Sequence, residues 1–112
     1  MIDLIDKLQV MNDQLDQALR TLRTNGIALA QAEKNYKEAV SKEALRLRDE
    51  GMAVTLIDKV IYGLASISTL RFERDCASAV YEANKEAINV RKLQIRLVEA
   101  QIERDWNNVE HN

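Results

Sequence analysis

From Leu4 onward the apolar residues of the chain recur at alternating steps of four and three: Leu4, Leu8, Met11, Leu15, Ala18, Leu22, Asn25, Leu29, Ala32, Tyr36 and Ala39. That is a heptad seam held over five repeats, and Asn25 is its one polar member. The pair Asn25-Gly26 has the chemistry of a turn. Yet the seam keeps its phase across it, which a loop has no reason to do. The pattern predicts a single helix over about residues 3–49, continuous or bent at Gly26. Gly51, after "RLRDE", is the expected stop.

The stretch "RDEGMAVTLIDKVIYG" then breaks the period. Thr55 with Asp58 three positions on reads as a helix start, a hydroxyl at the N-cap followed by an acid. Leu56, Ile57, Val60 and Ile61 give a short apolar helix over about 55–62, closed by Gly63. Two uses of these four side chains are open. They plug the end of an interface between two long helices, or they form a docking patch for a partner at the tip of a helical hairpin.

Ser66 or Ser68 would cap a last helix running to about Trp106, with a frayed tail over 107–112. At about 100° per residue, Phe72, Ala79, Ala83, Val90 and Leu97 line one edge of its apolar face. Tyr81, Ile88, Ile95, Ile102 and Trp106 line the other, with Val80, Ala87 and Val98 between. This arc covers about half the helix, wider than the ~100° stripe of a one-sided amphipathic helix. One antiparallel partner cannot cover both edges. A lone hairpin of such helices would also be ~65 Å long and two helices thick, which buries little for its size. The expected fold is therefore all-α: a long antiparallel, coiled-coil-like hairpin with a short helix at its tip. It forms one domain and assembles into a homodimer or higher multi-helix oligomer.

Placing Asp49 level with Ile67 sets Asn25 near Arg91, which interrupts the apolar arc between Ile88 and Ile95, as Asn84 and Gln94 also do. A mid-hairpin polar layer is expected, of the kind that fixes register and oligomer state. Charge adds to that picture. Residues 17–32 hold Arg20 and Arg23 and no acid, while residues 87–98 hold Arg91, Lys92 and Arg96 and no acid. Face to face, the two windows make a basic belt. It is either a solvated surface or a site for nucleic acid or a small anionic nucleotide.

Composition narrows the class. Of 112 residues, 46% are apolar and 30% charged, with no Pro and three Gly, which is the make-up of long helices. A net charge of −2 favours neither nucleic acid nor membrane as a bulk partner. The longest charge-free run, Val60 to Leu70, is far short of the roughly 18 apolar residues of a membrane span. "MIDLIDKLQV" lacks the basic start of a signal peptide, so a cytoplasmic location is expected.

Cys76 is the one cysteine and His111 the one histidine. With both alone, no zinc set and no diiron pair can be written, and Cys76, at helical spacing from Phe72 and Ala79, is expected in the core. The three glycines are too far apart for a phosphate loop. The expectation is a protein without catalytic or cofactor residues. Residues 55–71 also outline a helix-turn-helix, with Ser66, Ser68, Thr69 and Arg71 toward a groove. Asp58, Glu73 and Asp75 dilute the charge such a face needs.

The blocks "LRTNGIALAQAEKNYK", "LRLRDEGMAVTLIDKVIYG", "LRFERDCASAVYEANKEAI" and "LQIRLVEAQIERDW" together resemble small all-helical proteins encoded in phages and prophages of Gram-positive bacteria. Such proteins often lie in early regions, near recombination and single-strand-binding genes. The resemblance covers about residues 20–106 and carries no catalytic residues over. It implies an accessory protein in a bacterial host cell that binds one host or phage protein, within phage DNA metabolism or against a host process.

Overall fold

The computed structural model describes the backbone of residues 2–111 and the side chains of residues 2–109. Three helices make it up: α1 (Ile2–Asp49), α2 (Val54–Val60) and α3 (Ala65–His111), with one 3₁₀ turn, Ile61–Gly63, between the last two. The described residues are all-helical, without a strand. α1 passes unbroken through Asn25-Gly26, as the phase of the seam required. α3 runs five residues past Trp106 into the stretch expected to fray; no Gly or Pro interrupts it there.

The chain divides into two compact units, residues 25–81 and residues 1–24 with 82–112. We call them the turn unit and the terminal unit. In each, a piece of α1 packs antiparallel against a piece of α3. Every residue of the predicted seam is half-buried, Leu4 to Leu22 in the terminal unit and Asn25 to Ala39 in the turn unit.

The turn unit holds a core. Leu47 of α1, Ile57 of α2, Ile61 of the 3₁₀ turn and Ile67 of α3 form one buried cluster, with Tyr36, Ala39, Val40, Ala44, Met52, Val60 and Leu64 against it. Here the α1 seam leaves its heptad step. It widens to Ala39 with Val40 and Glu43 with Ala44 and reaches Leu47, eleven positions after Tyr36.

α1 ends in a Schellman motif. The Met52 amide donates to the Leu47 carbonyl at 3.1 Å, and the Gly51 amide to that of Arg48 at 2.9 Å. Gly51 sits at φ +91°, a conformation that costs a residue with a Cβ.

The two starts expected downstream are corrected. The N-cap of α2 is Ala53, with no side-chain cap bond. The amides of Leu56 and Ile57 donate to its carbonyl at 3.0 and 2.9 Å. Thr55 is already inside the helix, because the Schellman turn releases the chain into extended geometry only as far as Ala53. α3 begins at Ala65, after the extended Leu64, so Ser66 and Ser68 lie in its first turn. The Ser68 hydroxyl donates back to the Ala65 carbonyl at 3.2 Å.

Gly26 plays a packing role. A Cβ there would meet the Tyr81 ring at 3.3 Å, so the missing side chain is the space the ring occupies.

Candidate interaction surfaces

The short helix resolves by its own periodicity. Ile57 and Ile61, one turn apart, point inward and are 5% and 2% exposed. Val60 is half-buried and Leu56 is exposed. The proposed docking patch of Leu56, Ile57, Val60 and Ile61 is therefore not a single surface: its two isoleucines complete the turn unit's core. What this end exposes is another set, Val54, Leu56 and Tyr62, with the Arg71 guanidinium 6.0 Å from the Tyr62 ring centre.

The mid-chain polar layer is also redrawn. Arg91 is half-buried, and its Nη1 donates to Gln14 Oε1 at 2.7 Å. Gln14 lies eleven positions from Asn25, about 16 Å along a helix. The Asn84 side-chain amide donates to the Ala18 carbonyl at 3.4 Å, in the same antiparallel register. The anchor of Asp49 beside Ile67 failed for a physical reason. Ile57 and Ile61 pack with Leu47 at the end of α1, so α3 joins α1 further back. Polar side chains do interrupt the α3 seam, but Arg91 and Asn84 meet Gln14 and Ala18.

The same register takes the basic belt apart. Arg91, Lys92 and Arg96 lie beside the stretch from Met11 to Leu15, and Leu15 shares a shallow depression with Lys92, Ile95 and Arg96. That stretch of α1 carries Asp13, with Asp16 just past it. Arg20 and Arg23 lie beyond Ala18, on the side away from Arg91. The two basic windows do not face each other.

One polar position of the seam went unrecognised in the sequence. Arg74 lies halfway between Ile67 and Tyr81 in the heptad, is half-buried, and stacks its guanidinium 4.7 Å from the centre of the Tyr36 ring. It also reaches Asp75 at 2.8 Å, and that hydrogen bond holds its pKa above the ordinary arginine value. The signal was present: Arg74 is seven residues from each of two apolar seam positions.

The broad arc of α3 divides as its width implied. Tyr81, Ile88, Ile95 and Ile102 are buried or half-buried. Trp106, on the same edge, is exposed. The opposite edge is bare. In the turn unit Phe72 is 69% exposed, and Cys76, Ala79 and Val80 are exposed with it. In the terminal unit Ala83, Ala87, Val90 and Leu97 are exposed, Leu97 to 61%. Cys76 is thus not a core residue, because it stands on the edge that α1 leaves uncovered.

No cluster of three His, Cys, Asp or Glu side chains suited to a metal occurs among the described residues. No described helix is long and apolar enough to cross a membrane. Comparison with known proteins finds no matching family model, no matching curated protein and no matching solved structure.

Proposed function

We propose that this chain is a non-enzymatic, self-associating helical protein that works by protein–protein contact. We place it as a phage or prophage accessory factor in the host cytoplasm, acting in phage DNA metabolism or against a host process. The observation that carries the binding role is the uncovered apolar edge of α3, exposed at Phe72, Cys76 and Ala79 in the turn unit and at Ala83, Ala87, Val90 and Leu97 in the terminal unit. Exposed apolar residues are ordinary one at a time; in a row at heptad spacing they mark a surface that another helix covers. The placement in a phage rests on the sequence resemblance.

Light scattering across a concentration series tests the first half, with at least twice the 12.8 kDa chain mass expected at micromolar concentration. A mass of one chain throughout would remove the reading. Titration with single-stranded DNA tests the rival, a nucleic-acid or nucleotide binder. Tight binding that weakens steeply with salt would favour it. Asp13 and Asp16, two positions before and one after the Leu15 that lies against Lys92 and Arg96, speak for weak binding.

A further inference from the structure

Within the terminal unit the uncovered edge of α3 is itself a second heptad seam. Ala83, Ala87, Val90, Gln94 and Leu97 follow steps of four, three, four and three, and all are exposed. The first seam of the helix, through Ile88, Arg91, Ile95 and Val98, is turned about 100° from it and meets α1. A helix with two such seams is built for two neighbours, and this chain supplies one of them.

The charges beside the second seam say what the other neighbour is. Glu86 flanks it on one side and Arg91 on the other, five positions further along, and both border the same shallow depression with Ala83, Ala87, Val90 and Gln94. In two parallel helices packed seam to seam, a residue on one flank meets the residue five positions on, on the opposite flank of the partner. Glu86 therefore meets Arg91 of a second copy, twice by symmetry. The next heptad repeats the match with apolar groups, since Leu93 meets Val98 by the same rule. Antiparallel pairing puts each flank against itself, so that Glu86 faces Ala79, Glu86 or Leu93 and never an arginine. Gln14 occupies only one of the five N–H donors of Arg91, which leaves the guanidinium able to accept a second neighbour.

We infer that the second neighbour of α3 is α3 of another copy of this chain, packed parallel and in register through Ala83, Ala87, Val90 and Leu97. Paired Glu86–Arg91 contacts set its direction. This rests on the self-association proposed above and adds surface and orientation to it.

Sedimentation and cysteine crosslinking test it on the full chain. Glu86→Lys sets two cations against each other at both flanks and is expected to weaken association by about tenfold, with helicity by circular dichroism unchanged. Adding Arg91→Glu is expected to restore it. In a Cys76→Ala background, Ala83→Cys and Leu97→Cys, tested separately, should both form a disulfide between copies, since parallel pairing sets each beside its own mate. Antiparallel pairing permits this for at most one of the two. A wild-type oligomer that ignores Glu86→Lys, or crosslinks through one site or neither, overturns the inference and leaves self-association standing. A monomeric wild type overturns both.

Discussion

The turn unit and the terminal unit are made of the same two helices, yet only one of them closes a core. Around Ile67, which is fully buried, four elements converge. In the terminal unit α1 has α3 alone beside it. Ile88 and Ile95 are its only buried apolar side chains among the described residues, and the rest of its seam is half wet. The difference lies in one short helix. Two helices side by side shield a stripe; a third element across the end makes a space with no way out to water. Among the described residues the terminal unit has no such element, and it is there that α3 carries its second seam.

The sharpest way to break this comparison is truncation. Ile67→Ala or Ile61→Ala should cost about 2–5 kcal/mol in chemical denaturation, as for fully buried aliphatic residues. Leu8→Ala or Leu15→Ala, at equal protein concentration, should cost roughly 1–2 kcal/mol, because part of each side chain already touches water. Equal costs would mean that the α1 seam of the terminal unit is closed off from water as well, beyond the α3 edge assigned above to a second copy.

Gly26 gives a smaller effect within the turn unit. Gly26→Val drives branched carbons into the Tyr81 ring and should cost about 1–3 kcal/mol. A double-mutant cycle with Tyr81→Ala should recover most of that, and additivity would show that the ring is not what Gly26 makes room for.

The two remaining glycines separate conformation from space. Gly51→Ala should cost about 1–2 kcal/mol from its positive φ alone, since nothing crowds the position. Gly63→Ala, also uncrowded and with ordinary φ, should stay within about 0.5 kcal/mol of the parent in the same melts.

Least of all should come from Arg46, bridged to Glu43 and Glu50 at 2.8 Å on the surface. The hydrogen bond to Glu43, then that to Glu50, holds its pKa above the ordinary arginine value. A raised pKa stabilises the fold below the unfolded value and is lost only as pH climbs through the folded one. The contribution is thus constant across neutral pH. Arg46→Ala should move the melting temperature barely, and not at all in ~1 M salt.

Most of the fold could be read from spacing, because burial in a helix pair is a matter of phase. The α1 seam and the bare edge of α3 both follow from counting residues. What spacing could not reveal was level. Phase says which face of a helix is covered but not which turn of its partner covers it, and one anchor at the connection moved Arg91 from Gln14 to Asn25. The basic belt was an error of level. The docking patch, one of the two uses left open, failed differently: all four side chains are apolar, so composition alone could not tell Ile57 of α2 and Ile61 of the 3₁₀ turn, which point inward, from the outward Leu56. The cap at Thr55 failed because the Schellman turn, a backbone device, had already decided where the next helix could begin.

The eleven-residue step from Tyr36 to Leu47 has a bearing on winding. A seam repeating every 3.5 residues makes a helix coil left-handedly about its neighbour, whereas eleven residues in three turns, about 3.67 per turn, ask for a slight right-handed coil. Over this stretch the spacing therefore favours a nearly straight α1 in place of one that keeps winding about α3. A straight helix holds one face in a constant direction over its last turns. Such a constant face suits the one place where α1 has two neighbours at once, Leu47 sharing a cluster with Ile67 of α3 and Ile57 of α2.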